Sequence, residues 1–298
     1  MTKIIECIPN FSEGQRMDVV EALADAAKSI AGVTLLDYSA DASHNRSVFT
    51  LIGDPQGIKA AAITLAKLAA EKIDLTRHEG EHPRMGATDV IPFVPIKNAT
   101  MEECVELAKE VGEILAKEIN IPVYLYEEAC SKETRRNLAN VRKGQFEGMA
   151  KKMAKPEWRP DFGDAAPHPT AGVTAVGARM PLVAFNVNLS TGDVEIANNI
   201  AKVIRGSGGG LKYCKAIGIA LEDRNIAQVS MNIVNYEGTP LYRAVELIKA
   251  EAKRYGVHVI GTELIGLTPV KALTDSAEYY LQLENFDYNK QVLENHLW

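Results

Sequence analysis

Cysteine is scarce in this 298-residue chain, and Cys7, Cys104, Cys130 and Cys214 stand far apart with no Cys-x-x-Cys pair. That spacing argues against a zinc knuckle or a disulfide framework and fits a reducing, cytoplasmic setting. Long hydrophobic runs are missing too. The longest apolar helix candidate, residues 60–70, is interrupted by Lys67 and is too short to span a bilayer, so no membrane partner is expected. The N-terminal apolar stretch is cut at Pro9-Asn10, so no signal peptide is expected either. Excess positive charge is also absent, because 33 Lys and Arg stand against 39 Asp and Glu, a net charge of −6. Bulk attraction to nucleic acid is therefore not expected, though a local basic patch can still hold a small anion. What is present is ordinary: 46% hydrophobic and 24% charged residues suit a soluble chain with two modest lobes.

Hydrophobic periodicity orders the elements. Residues 3–9 read as a buried strand. Ser12, with Gln15 three residues on, reads as the capping box of a helix that turns Val19, Val20, Leu23, Ala26, Ala27 and Ile30 to one face. Residues 33–38 and 46–52 are strands joined by the polar turn 39–45. Asp54-Pro55 opens a second helix, and 90–96 is a strand whose Pro92 and Pro95 predict an edge or interrupted position. Thr100 and Glu103 box the start of a helix reaching about residue 119, and 122–126 is a short strand. The basic stretch 131–155 reads as surface helices with a solvated face. Residues 156–172 break all periodicity and read as a linker or long functional loop. The second half repeats the pattern, with strand 182–188, helix 191–205, strands 216–221 and 227–235, a helix opened by Thr239-Pro240, and strand 257–261. A last helix starts at Thr268-Pro269. Both halves read β-α-β-β-α-β, the ferredoxin-like order. The expected fold is α+β, two pseudo-duplicated ferredoxin-like subdomains over residues 1–180 and 181–298 with a ligand cleft between them.

Reactive side chains concentrate in His78-Glu79-Gly80-Glu81-His82-Pro83-Arg84-Met85-Gly86-Ala87-Thr88-Asp89. His78-Glu79-x-x-His82 spells the zinc-protease motif, which needs a helix to bring both imidazoles to one face. Gly80 costs a helix about 1 kcal/mol, and Pro83 disfavours the α region at His82. The segment instead reads as a loop entering the strand at Val90, with no metal. A loop histidine can move protons near neutral pH or simply cap the loop. Among the other candidates, Gly206-Ser207-Gly208-Gly209-Gly210 lacks the phosphate-loop ending and reads as a connector. Arg46 can pair with a ligand carboxylate or with Asp41. Asn186 and Asn188 share a sheet face, which suits either a lined cleft or solvent.

Several blocks together resemble the glutamate formiminotransferases: Cys7-Ile-Pro-Asn-Phe-Ser-Glu-Gly14, Ser43-x-Asn45-Arg46, Arg77-His-x-Gly-Glu-His82-Pro-Arg-Met-Gly86 and Trp158-x-Pro-Asp-Phe-Gly163. So do Gly177-Ala-Arg179, Ala184-Phe-Asn-Val-Asn188 and Ala227-Gln-Val-Ser230, and the likeness runs to about Tyr280. The resemblance implies transfer of a formimino group from N-formiminoglutamate to tetrahydrofolate in histidine breakdown, by a cytoplasmic homodimer. It also implies two ferredoxin-like subdomains with folate between them. In animals the domain is fused to a cyclodeaminase, which this chain is expected to lack. The resemblance places the catalytic histidine on His82. It places a folate-contacting loop on Gly163-Asp164-Ala165-Ala166-Pro167-His168-Pro169-Thr170-Ala171-Gly172. Asn10, Asn45, Arg46, Arg84, Arg179 and Asn188 join the substrate and folate candidates. Where animal enzymes carry an acidic residue this chain has Ser39, with Asp41 two positions on, so either stands as support for His82. Tetrahydrofolate is then co-substrate, and no metal is required. Formyl transfer from 5-formyltetrahydrofolate to glutamate, a non-catalytic folate-binding protein and a zinc hydrolase are the alternatives.

Overall fold

A computed structural model describes residues 2–296, which fall into two units divided between Arg179 and Met180. In the first, β1 (Ile4–Cys7) and β2 (Asn10–Phe11) lie in line, followed by α1 (Met17–Lys28), β3 (Val33–Asp41), β4 (Arg46–Gly53), α2 (Pro55–Lys72) and β5 (Thr88–Lys97). The β1–β2 line sits between β4 and β5, and β3 lies outside β4, all antiparallel. That is the ferredoxin-like order. α3 (Met101–Ile119), β6 (Val123–Glu127), α4 (Leu138–Arg142), α5 (Gln145–Met153) and β7 (Thr174–Ala178) then extend the sheet. β7 pairs parallel with both β5 and β6. One face packs the main core with α1, α2 and α3, while Val90, Tyr124, Tyr126 and Ala175 meet Val141, Met149 and Met153 of α4 and α5 in a smaller cluster. Strands covered on both faces read as unbroken apolar runs, as β5 to β7 do.

Several expectations need correction. β5 is central, not an edge. Pro92 lies opposite the break between β1 and β2, where its carbonyl accepts Ile8 N–H at 3.2 Å. Pro95 lies beyond the Phe93–Ala178 end of the β7 pairing. Neither proline therefore removes a needed rung. Ser12 does not cap α1, which starts at Met17 after a buried Glu13 takes up the Gln15 and Arg16 N–H groups. Residues 156–172 are no linker but are stitched into the first unit. Asp161 accepts Leu125 N–H at 2.8 Å and ion-pairs with the fully buried Arg135. Thr100–Glu103 and Asp54-Pro55 do cap as expected.

The second unit comprises β8 (Val183–Leu189), α6 (Val194–Ile204), β9 (Cys214–Leu221), β10 (Ile226–Ile233), α7 (Leu241–Lys253) and β11 (Val259–Ile265), with α8 (Val270–Leu281) and α9 (Tyr288–Gln291) following. Its sheet order β11-β8-β10-β9 is the same ferredoxin-like arrangement. The glycine run folds into a tight turn closing the end of α6 through Leu211 N–H on Ile204 O, not a loose connector. Thr239 does not cap α7, whose flanking residue is Pro240; its hydroxyl instead accepts Tyr213 N–H. Among the described residues no helix is long and apolar enough to cross a membrane.

Candidate active site

The histidine segment contains no helix and is irregular as far as Ala87, so the zinc-protease geometry does not form. It is held by two neighbours. On one side the β3–β4 turn grips it: Glu81 N–H donates to Ser43 O at 3.1 Å, and Asn45 Nδ2 donates to Glu79 O at 2.8 Å. Asn45 Oδ1 accepts Gly14 N–H at 2.9 Å, which ties in the start of the chain. Gly80 is needed for this approach, because a Cβ there would stand 2.5 Å from His44 O. On the other side, Ala87 N–H donates to Ala171 O and Val173 N–H to Met85 O, both at 2.9 Å. Ser12 Oγ reaches Gly86 O at 2.8 Å. Gly172, at φ +68°, sits where any Cβ would strike Met85 O. The His82 loop and the end of the 163–172 loop are thus one fabric.

Within it the two histidines differ. His78 Nδ1 accepts from Arg84 Nε at 3.1 Å, so its Nε2 carries the hydrogen donated to Asn45 O at 2.9 Å. His82 makes no side-chain hydrogen bond among the described residues. Burial lowers its pKa first, the Arg46 and Arg142 charges next, then His44 and His78, to about 3. A neutral imidazole is the form this setting favours. Its ring centroid lies 6.4 Å from that of His44.

Arg46 and Arg142 form the charged wall. Arg46 begins β4 and is half-buried, and its side chain has no hydrogen-bond or ion-pair partner among the described residues. Burial and then the Arg142 charge lower its pKa. Arg142 ends α4, and its Nε and Nη2 lie 2.8 and 2.6 Å from Oδ2 of the buried Asp89. The other Asp89 oxygen accepts Met85 N–H at 2.8 Å. Sequence reading missed Arg142 and His44. Asp89 held a clue, since a carboxylate heading an apolar strand needs a buried partner.

The remaining candidates separate into free and committed groups. Arg84 is committed: its five N–H groups meet His78 Nδ1 and O, Gln145 Oε1 and both Glu147 oxygens at 2.7–3.3 Å. It braces the loop and has no donor left for a carboxylate, contrary to expectation. Ser39 is exposed on β3, and Asp41 Oδ2 lies 2.8 Å from His44 Nδ1, so neither bonds His82 directly. In the 163–172 loop, Gly163, Asp164, Ala165 and Ala166 are exposed, whereas His168 Nδ1 accepts Ala171 N–H at 3.0 Å to close the turn. Asn10 donates to Ile8 O, and Arg179 follows β7 with its N–H on Phe93 O. In the second unit, Asn188 is buried and donates to Glu263 while accepting from Gln228. A cavity of about 420 Å³ is lined by Ser12, Glu13, Asn45, Arg77 and His78 but not by His82.

The model of the formiminotransferase domain's N-terminal subdomain matches residues 4–179, and the model of the formiminotransferase domain matches residues 184–295. A glutamate formimidoyltransferase of Streptococcus pyogenes is 67% identical over 297 residues, covering 100% of this chain and 99% of that one. One from Thermoplasma acidophilum is 46% identical, covering 95% and 94%. The formimidoyltransferase-cyclodeaminase of Gallus gallus is 47% identical over 95% of this chain and 53% of its own length.

Proposed function

This chain belongs to the formiminotransferase family, and from that premise we infer that it transfers the formimino group of N-formiminoglutamate to N5 of tetrahydrofolate in histidine degradation. Tetrahydrofolate N5 attacks the formimino carbon and forms a C–N bond. The tetrahedral intermediate then breaks its bond to the glutamate nitrogen, releasing glutamate and 5-formiminotetrahydrofolate. A proton must leave N5 and another must reach the departing nitrogen. His82 does both in turn, as base and then as acid, help typically worth about 10²–10⁴ in rate. Its ring lacks a competing hydrogen bond and favours the neutral form, which is what a first proton acceptor requires. Arg46, half-buried and unpaired among the described residues, receives a substrate carboxylate, for which its fork geometry is suited. The exposed Gly163–Ala166 side of the neighbouring loop is where folate is met.

The observation that carries this reading is an unbonded, charge-flanked His82 in a chain with near-full-length family similarity. The experiment is a two-substrate assay, following 5-formiminotetrahydrofolate by ultraviolet absorbance after its conversion to the methenyl form. Turnover with N-formiminoglutamate is expected. Turnover only when 5-formyltetrahydrofolate is donor and glutamate acceptor would replace the reaction by formyl transfer.

A further inference from the structure

Arg46, Arg142 and His82 are all half-buried and lie within reach of one another's charge, and the fully buried carboxylate of Asp89 ion-pairs with Arg142 and reaches Arg46 by its charge. Asp41, the other carboxylate whose charge reaches Arg46, is exposed and engaged with His44. Like charges drawn together out of water repel unless an anion joins them. Arg142 is also oriented. Asp89 takes its Nε and Nη2, so the Nη1 side of the guanidinium has no partner among the described residues. Asp89 itself cannot swing away, being held by Met85 N–H.

We propose that Arg142, set by Asp89, forms with Arg46 a two-guanidinium seat for the α-carboxylate of the formimino donor, beside His82. The inference rests on the formimino-transfer reading and adds a residue and a substrate group to it. Connectivity selects the donor over the folate. The α-carboxylate is separated from the departing nitrogen by one carbon, so seating it near His82 brings that nitrogen to the imidazole. The folate carboxylates lie at the far end of the aminobenzoyl arm from N5. The seat also explains how one histidine serves as base and then as acid. In the free protein Arg46, Arg142, His44 and His78 all oppose a proton on His82, while Asp89 is engaged with Arg142 and Asp41 with His44. A bound carboxylate offsets the guanidinium charges and lets the imidazole hold the proton it takes from N5 until the glutamate nitrogen leaves.

The kinetic test is Arg142→Lys, which keeps a cation for Asp89 but loses the open guanidinium edge. The KM for N-formiminoglutamate should rise roughly tenfold or more, the value of one charge-assisted hydrogen bond, with the KM for tetrahydrofolate near wild type. An unchanged donor KM, or a rise confined to tetrahydrofolate, overturns the seat. The binding test uses wild-type protein and so does not depend on the variant folding. Glutamate should shift the Arg46 and Arg142 Nε signals in ¹⁵N spectra and raise the titration midpoint of the His82 ring, whereas a pterin without a glutamate tail should do neither. Glutamate that binds without moving Arg142 overturns the proposal. Failure of wild-type turnover would instead remove the formimino-transfer reading, and the glutamate titration would still decide the seat.

Discussion

Two basic clusters lie within a few residues of each other in the first unit, each built from arginine, histidine and carboxylate, and only one keeps donor capacity unused among the described residues. Around Arg84, five donors meet five acceptors, and His78 uses both ring nitrogens. Among the described residues, the His82 imidazole is unbonded, the Arg46 side chain lacks a hydrogen-bond or ion-pair partner, and Arg142 is held along one edge only. The comparison teaches that charge alone does not mark a site. What marks it is donor capacity that the fold orients but leaves unused.

The sharpest way to break the comparison is to make the same substitution in both clusters. His82→Gln should lower kcat by about 10²–10⁴ with little change in unfolding midpoint. His78→Gln should leave kcat within a small factor and cost about 1–3 kcal/mol of stability, through one buried group left unsatisfied, read from urea denaturation. Equal kinetic losses in both variants would dissolve the distinction. Next in size is Arg84→Met, which strands His78 and removes the brace on Glu147. A loss of about 3 kcal/mol is expected, less than complete unfolding because Glu147 is largely exposed and can be solvated. Arg46→Met should do the opposite, raising donor KM roughly tenfold or more while leaving stability nearly unchanged.

How much of this was readable in one dimension follows from which interactions are local. The two ferredoxin-like patterns were legible because helix and strand periods depend on near neighbours, and so were the Asp54 and Thr100 caps. β7 was not, because Thr174-Ala-Val-Gly-Ala178 is short, small-sided and preceded by a proline-rich loop. The central place of β5 was missed because its prolines were read as if every rung were occupied, whereas one faces a gap and the other lies past the partner's end. His82 was singled out only through the family resemblance, and it stands as a proposal. Its surroundings were not legible: Arg142 lies 53 residues from Asp89 and sat in a basic stretch that looked like a solvated face. Ser12 misled for the same reason, its hydroxyl going 74 residues along the chain to Gly86 and not to the next helix.

A smaller effect sharpens the same contrast through stability. The folded protein disfavours a proton on His82 down to about pH 3, whereas an unfolded histidine takes one near 6.5. Stability from this difference is therefore full above pH 6.5 and is lost as pH falls toward 3, because the unfolded chain then binds the extra proton. Wild-type protein should lose stability across that window more steeply than His82→Gln, as measured by urea midpoints at several pH values. Identical slopes would mean that His82 is not held against protonation.

Asp41→Asn should have the smallest consequence. Asp41 is exposed and reaches His82 only through His44, whose ring nitrogen it contacts and whose N–H it accepts at 2.9 Å. Removing its charge leaves Arg46 and Arg142 less balanced, so His82 becomes somewhat harder to protonate. The outcome should be a fall in kcat/KM of roughly twofold to fivefold, the scale of a solvent-exposed ion pair, measured alongside Asp89→Asn. Asp89 is buried, bonded to both Met85 N–H and Arg142, and its variant should lose far more. Were Asp41→Asn to match His82→Gln, Asp41 would have to act on the imidazole directly, and the open cluster would contain a carboxylate partner for His82 that the hydrogen bonds do not show.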